Sequence, residues 1–500
     1  MAGCGGAAVV RDHGAPLPPA EREATWLGQW ARLSGSPHPG KSGFALLSSG
    51  QDAFSLRVLL TEQADRRLDI QTYLMGDGQT TRALLHRLLS AAERGVEIRL
   101  LIDDIGAVGQ GQQLAALDSH PNIQVRVYNA LSVARGTLAG RVLASAPQAV
   151  RQHRRMHNKL WIADEALAIV GGRNLGDEYY SASEPRNFTD LDLMAVGPVV
   201  EPLTYSFHLY WNHGLAQPIG RYHRAEENAW SGLKESLDAW FLANADSPYF
   251  ADLRQRYADV EQGPLLGKLH WGEGVALWDS PGKPAWRGRP ALGNTMAGEL
   301  LELVGQPGAK LVLVSAYFVP GRRGTQLLTD MANSGIAVEV FTNALEATDV
   351  PVAHGAYQTR RDALLDSGVA LYELRAEHDP DVDFGFGVGS SASALHIKAL
   401  GIDDDRIFVG SANADPRSVW WNTEVGVLVT SQGLANELQS LTEIGKSPAL
   451  SYRVGRTESG SLYWETLQQG ETVQLMREPG SVWRHGGAAL SRMLRLEPLL

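Results

Sequence analysis

One eight-residue pattern, written twice, limits what this chain can fold into more than any other feature. It reads His157-Asn-Lys159-Leu-Trp-Ile-Ala-Asp164 in the first half and His396-Ile-Lys398-Ala-Leu-Gly-Ile-Asp403 in the second. After the same six-residue gap, each copy is followed by a small-residue turn ending in Asn: Gly171-Gly172-Arg173-Asn174 and Gly410-Ser411-Ala412-Asn413. The chain has only eight lysines, and two of them sit inside these copies. A chance H-x-K-x-x-x-x-D is expected on the order of 0.01 times in such a composition. Two copies with matching tails are therefore a duplication.

The duplication extends beyond the motif. Tyr73/Tyr317, Gly95/Gly335 and His157/His396 lie 244, 240 and 239 residues apart. Because the repeat occurs only twice, a solenoid is excluded. In the first half, apolar spacing predicts a helix over 53–67 and another over 80–95 that stops at Gly95. Strands are predicted at 68–74, 96–102 and 123–128. The second half repeats this order, with strands at 309–317, 336–342 and 369–375 and a helix over 324–335. Strand, helix, strand in this order predicts an α/β fold: two duplicated domains, each a mixed, mostly parallel sheet flanked by helices. Five hundred residues also exceed one comfortable core.

The expected division is a flexible Gly/Pro/Ala/Ser-rich arm over 1–50 with one helical patch around 21–32, a first domain over 51–265 and a second over 266–445. A C-terminal hairpin and helix over 446–500 complete the second domain, and the Trp/Tyr-rich helical stretch 201–265 connects the halves. No uninterrupted apolar run reaches the ~18 residues of a membrane span. A net charge of −11 argues against a general nucleic-acid binder. A single cysteine excludes a disulfide framework and a thiolate zinc site. That residue, Cys4 in Met-Ala-Gly-Cys, resembles the end of a bacterial lipoprotein signal without its apolar segment. It is either a chance cysteine in a loose terminus or, with a start further upstream, the anchor of an envelope protein.

The motif itself carries the chemistry. His and Lys two apart on an extended segment share one face, with Asn158 or Ile397 on the other. The turns add backbone N–H groups and the amides of Asn174 and Asn413 beside the same pocket, with Gly172 in one turn where Ser411 stands in the other. Two imidazoles, two ammonium groups and two amides suit a tetrahedral phosphate. One neutral imidazole attacks phosphorus, and the other protonates the leaving oxygen and then activates the incoming hydroxyl. Lysines and asparagines stabilise the transition-state oxygens, so the chemistry calls for no metal or other cofactor. A carboxylate behind each imidazole would fix its tautomer. Candidates are Asp192, or Asp190 on the same face, and Glu424. Asp164 and Asp403 complete the motif but fall near turns, where holding the loop suits them better than proton transfer.

The double H-x-K-x4-D-x6-G-[GS]-x-N pattern resembles the phospholipase D superfamily. Leu68-Asp-Ile-Gln, Ile169-Val-Gly-Gly-Arg-Asn-Leu-Gly-Asp-Glu178, Tyr317-Phe-Val-Pro-Gly321 and Gly410-Ser-Ala-Asn-Ala-Asp-Pro-Arg-Ser418 are similar to its bacterial cardiolipin synthase-type subgroup without transmembrane spans. The resemblance covers roughly 50 to 480. It implies two domains packed about a pseudo-two-fold axis around one shared site, and a phosphatidyl–enzyme intermediate. It also implies His157 as nucleophile and His396 as acid and base. Two features depart from the pattern: the turn hydroxyl is missing at Gly172, and Asp192 lies 35 residues from His157 against 28 from His396 to Glu424.

From Ser119 to Ala163 there is no acidic residue, while Arg126, Arg135, Arg141, Arg151, Arg154, Arg155 and Lys159 lie there around an apolar stretch, 138–146. A basic, apolar lead-in over 131–156 suits contact with an anionic bilayer; read more plainly, it is an active-site loop steering any anion. The expectation is a phosphatidyltransferase forming cardiolipin from phosphatidylglycerol and a second phospholipid, at a bacterial membrane surface. Water as acceptor would make the same site a phospholipase D. A nuclease of the same superfamily is disfavoured by charge and by the lack of a basic, aromatic groove.

Overall fold

The structure, a computed structural model, describes residues 15–130, 153–183, 186–262, 268–377, 393–497 and 500. The first half begins with β1 (Ser42–Leu47), β2 (Arg67–Leu74), β3 (Glu97–Gly106) and β4 (Ile123–Tyr128). It continues with β5 (Leu160–Ala163), β6 (Leu167–Gly171), β7 (Asn187–Thr189), β8 (Asp192–Val196) and β9 (Ala216–Pro218). The second half has β10 (His270–Trp278), β11 (Lys310–Ser315), β12 (Ala337–Asn343), β13 (Ala370–Leu374), β14 (Ser393–Leu395) and β15 (Lys398–Ile402). It ends with β16 (Arg406–Gly410), β17 (Val425–Thr430), β18 (Ser451–Arg456), β19 (Leu462–Gln468) and β20 (Glu471–Leu475).

Both halves have the same strand order. In the first it is β9-β4-β3-β2-β5-β6-β8-β1, with β2, β3 and β4 parallel and the rest antiparallel. In the second, β18-β13-β12-β11-β15-β16-β17-β10 repeats it, with β11, β12 and β13 parallel. The parallel triplets are where strand–helix–strand units recur, because a crossover helix requires them. Antiparallel strands β5, β6, β15 and β16 are joined by tight turns, in which Asp164 and Asp403 adopt positive φ. This is the expected mixed α/β duplication.

Helix Gln79–Glu93 forms where the sequence predicts it, burying Leu84, Leu85, Leu88, Leu89 and Ala92, and the chain reverses at Gly95 with φ +98°. Helix Gly50–Gln63 starts on Ser49, whose hydroxyl accepts the Asp52 N–H. Two of the cores lie between a sheet and its helices, one per half. A third is sandwiched between the halves and mixes Leu160, Ile162 and Val170 with Val314, Ile397, Val409 and Val425.

The structure corrects two boundaries. The stretch 1–50 is not simply an arm. Its described part carries helices Pro19–Ala24 and Trp26–Gly35, where the helical patch was expected, and then the unexpected β1, all six of whose residues are buried. This strand pairs with β8 on one side and β10 on the other, so it joins the two sheets. Averaged composition hid it: Gly43-Phe-Ala-Leu-Leu47 is a five-residue apolar run in Gly/Pro-rich surroundings. At the other end, the expected hairpin is a three-strand meander, β18-β19-β20, whose first strand extends the second sheet from β13. The closing helix Val482–Leu494 lies on helix Pro351–Gln358, where a Cβ at Gly355 would sit 2.3 Å from the Ala488 carbonyl oxygen. Cys4 and the division at 265/266 lie outside the described residues.

Candidate active site

Each histidine sits in the short extended break before its strand, His157 ahead of β5 and His396 between β14 and β15. What holds it there comes from the opposite half. The His157 N–H donates to the Thr423 carbonyl (2.9 Å), and Met156 bridges Thr423 in parallel. Likewise the His396 N–H donates to the Thr189 carbonyl (2.7 Å), and β14 pairs in parallel with β7. Side chains late in β3 and at the end of β12 complete the clamp. Asp103 Oδ2 accepts the Met156 N–H (2.9 Å), and Asn343 Oδ1 accepts the Leu395 N–H (2.8 Å). The predicted strands 96–102 and 336–342 stop just before Asp103 and Asn343, which gave these residues no function. Their common position after corresponding strands was the available signal.

The carboxylates are crossed between the halves. His157 Nδ1 meets Glu424 Oε2 at 2.9 Å, and His396 Nδ1 meets Asp190 Oδ2 at 2.6 Å. Of the two Asp candidates after the first motif, the structure puts Asp190 on an imidazole and Asp192 elsewhere. Asp192 Oδ2 is held by Arg57 Nη2 (2.8 Å) and Arg173 Nη1 (3.4 Å), as a buried structural ion pair. Strand register gives the reason. Gly171 faces Asp192 as Gly410 faces Gly426, so the counterpart of Glu424 is Asp190, two residues earlier.

The departure at Gly172 has a steric cause. A Cβ there would lie 2.2 Å from Asp190 Oδ1, whereas Ser411 donates its hydroxyl to Glu424 Oε2 at 2.5 Å. Asp190 is shorter and sits against the turn, so there is room for a glycine alone. Gly172→Ala is expected to push Asp190 from His396 and lower turnover on the order of 10²-fold, as a 1 Å misplacement does. Steady-state rates at unchanged thermal stability would show this.

The remaining motif residues divide by position. Lys159 Nζ donates to its own His157 carbonyl (2.6 Å) and lies 5.4 Å over the Tyr73 ring. Lys398 Nζ lies 3.1 Å from His396 Nδ1 and 3.4 Å from Nε2. Burial, reinforced by the charges of Lys159, Lys398, His396 and Arg417, holds the His157 imidazole well below its ordinary range. Burial and Lys398 lower His396 as well, against the opposing charge of Asp190. Burial brings Lys159 down to about 7 and pushes Glu424 up to about 7. Rings flank both imidazoles, Tyr73 on His157 and Tyr179 with Phe188 on His396.

Asn174 donates Nδ2 to the Tyr179 hydroxyl (2.7 Å), and its Oδ1 accepts the Leu74 N–H (3.2 Å), so it ties the turn to the ring beside His396. Asn413 is anchored through its backbone N–H on Ser418 Oγ (3.1 Å). Asp164 and Asp403 lie at the far ends of β5 and β15, about 15 Å along the strand from the lysines. Asp164 accepts the N–H groups of Asp65, Arg66 and Arg67 at 2.8–2.9 Å. Asp403 accepts those of Gly308, Ala309 and Lys310 at 2.7–3.1 Å. Their place in the motif is a fold signature, and they touch no imidazole. Asp164→Ala is expected to cost roughly 3 kcal/mol and Asp403→Ala, at a more exposed turn, about 1 kcal/mol, with turnover preserved in whatever remains folded. Thermal unfolding beside activity measures both.

Most of the basic lead-in, including Arg135, Arg141 and Arg151, lies outside the described residues. Arg154 and Arg155 at its end, and Arg126 just ahead of it, are built into the fold. Arg126 donates to the Trp211 carbonyl (2.6 Å), Arg154 to that of Trp286, and Arg155 pairs with Asp103 (3.3 Å). These three do not form a free basic surface.

The resemblance implied duplicated α/β halves around one shared site; the crossing of the carboxylates between the halves is what the structure adds. Comparison with known proteins gives the family. The family described as "Cardiolipin synthase, PLD-like domain" matches residues 59–188 and 300–443. Cardiolipin synthase C of Escherichia coli (strain K12) is 34% identical over 476 residues, covering 93% of this chain and 98% of that protein. Cardiolipin synthase B of Shigella flexneri is 23% identical over 387 residues, covering 77% of this chain and 75% of that protein. The crystal structure of phosphatidylserine synthase from Haemophilus influenzae Rd KW20 superposes with a TM-score of 0.58 at 13% identity, over 94% of this chain and all of that one, which shows a shared fold. The chain belongs to the phospholipase D superfamily, among the cardiolipin synthase-type proteins.

Proposed function

We propose that the protein is a phosphatidyltransferase of the phospholipase D type that forms cardiolipin from phosphatidylglycerol and a second phospholipid. The observation that carries this reading is the crossed pair of imidazole–carboxylate contacts with a lysine beside each. Its substrate class rests on nearly full-length similarity to cardiolipin synthase C.

In the proposed mechanism, Glu424 holds the proton on His157 Nδ1 and leaves the Nε2 lone pair for phosphorus. The depressed basicity of His157 keeps it neutral for this attack. The bond from phosphorus to the departing glycerol oxygen breaks as that oxygen takes the proton from His396 Nε2. Asp190 supports the imidazolium before transfer, and the bound phosphate anion adds to that support. The incoming lipid hydroxyl then gives its proton back to His396 and displaces His157 from phosphorus. Lys159 and Lys398 stabilise the non-bridging oxygens throughout, with backbone N–H groups of the turns.

The proposed setting is peripheral, on the surface of a bacterial membrane. No described helix is long and apolar enough to cross a bilayer. Incubation with phosphatidylglycerol vesicles followed by lipid mass spectrometry tests the reading. Cardiolipin and glycerol are expected in equal amounts. Phosphatidic acid alone would make water the acceptor and remove the transferase, and inert lipid with nicked single-stranded DNA would remove both lipid reactions.

A further inference from the structure

The two halves repeat each other strand for strand, and among the described residues the second contains a large apolar cavity. Its volume is about 1140 Å³, above the ~300–1,000 Å³ typical of pockets for small molecules. The floor is the helix-facing side of the sheet: Leu313 on β11, Leu400 on β15 and Phe408 on β16. Helices Met296–Val304 and Gly321–Asn333 form the walls through Leu300 and Leu328. The inner end is the second motif turn, at Ala412 and Asn413.

Duplication shows why the cavity is there. Leu400 pairs with Leu313 as Trp161 pairs with Ile70. The motif offset likewise sets Ala412 opposite Arg173 and Ala414 opposite Leu175. Trp161, Arg173 and Leu175 are 2%, 2% and 6% exposed, so the first half is filled at the place where the second is hollow. A close-packed interior does not leave such space without reason when its own repeat shows how to fill it.

The mouth is also distinctive. Five exposed arginines surround it, Arg289, Arg322, Arg323, Arg492 and Arg495, in a chain of net charge −11. Of the two acidic residues in the lining, Glu497 is paired with Arg360 and Asp415 accepts the Ser418 N–H. Beside the arginines, Leu301 and Leu327 are 40% and 38% exposed on the lip. On the neighbouring closing helix, Met493 and Leu494 are 72% and 55% exposed. An apolar shaft with a cationic, leucine-edged mouth complements a hydrocarbon chain attached to an anionic head.

We propose that this cavity takes one acyl chain of an anionic phospholipid drawn from the bilayer, with its inner end against the Ala412–Asn413 turn of the active site. The inference rests on the phospholipid reading above and adds where a chain is held. It makes the halves unequal: the second grips a lipid by its tail, and the corresponding place in the first is filled by Trp161, Arg173 and Leu175.

The test uses phosphatidylglycerol carrying a photoreactive diazirine at the acyl terminus, in vesicles of phosphatidylglycerol and phosphatidylcholine. Adducts are expected on helices Met296–Val304 and Gly321–Asn333. Leu400→Trp imports the first half's residue, and Ala297→Trp fills the cavity from the opposite wall. Each buried methylene is worth about fourfold in affinity, so displacing two or more should cut adduct yield and raise KM for long-chain lipid by at least about tenfold. Turnover of dibutyryl phosphatidylglycerol, too short to use the shaft, should stay within about twofold of the unsubstituted protein. Adducts confined to other elements, yields unmoved by either tryptophan, or equal losses on long and short lipids would each overturn the proposal. If neither variant folds, the adduct map of the unsubstituted protein decides alone. Adducts on these helices with no lipid turnover would sink the transferase reading while sustaining the cavity.

Discussion

Replacing His157 by Ala is expected to reduce phosphatidyl transfer on the order of 10⁵-fold, as loss of a nucleophile does in enzymes with covalent intermediates. The informative comparison is with His396→Ala. His157 Nε2 would still attack there, but the departing alkoxide of a natural lipid would find no proton. A phosphodiester with a nitrophenol leaving group removes that need. With it, His396→Ala should accumulate a phosphorylated enzyme, whereas His157→Ala should show none. Acid-labile label on a His157 peptide, located by mass spectrometry, is the readout. Label in His157→Ala but not in His396→Ala would reverse the roles. The geometry alone is nearly symmetrical, so this experiment assigns direction to it.

The second large effect concerns the crossed carboxylates. Glu424→Gln is expected to lower formation of the intermediate about 10⁴-fold, the scale set by amide replacement of a triad carboxylate. Asp190→Asn should instead spare intermediate formation from the nitrophenyl ester and slow its release to an acceptor. A first-half carboxylate thus governs the second-half imidazole, and the reverse, which no reading within one half predicts. The pH dependence carries the same asymmetry. Burial pushes Glu424 up to about 7, so it takes a proton as pH falls through that value and its hold on the His157 Nδ1–H is lost. The acid limb of kcat/KM should therefore lie near pH 7 and disappear in Glu424→Gln. The His396 contact and Lys398 keep Asp190 below its ordinary range, so it stays ionised across that limb.

Much of the fold was legible because duplication supplied two readings of each element. The helix ending at Gly95 and that ending at Gly335 stop at glycines of φ +98° and +93°, where the sequence placed both ends. β1 was not legible. Its burial comes from β8 and β10, the latter more than 220 residues away along the chain, and nothing local marks a five-residue apolar run as the join between sheets. Asp190 and Asp192 illustrate the same limit at the site. Both point to one face of an extended segment, so alternation could not choose between them. The choice falls to Arg57 and Arg173, which occupy Asp192, and to His396 arriving from the other half at Asp190.

By itself, then, the sequence singled out the candidate reacting groups. Two His-Lys pairs at matching offsets with Asn-ended turns permit little other than attack on a tetrahedral phosphate, because residue type and spacing fix which atoms share a face. Tertiary structure alone decided the partnerships. Glu424 serves His157 and Asp190 serves His396 because Thr423 and Thr189 strap each motif to the opposite half. It also decided that Asp164 and Asp403, inseparable from the motif in sequence, stand a strand's length away and hold turns. Spacing along a chain reports which side chains are neighbours on one strand. Which half's carboxylate reaches which imidazole depends on packing two sheets face to face, and that information is spread over the whole interface.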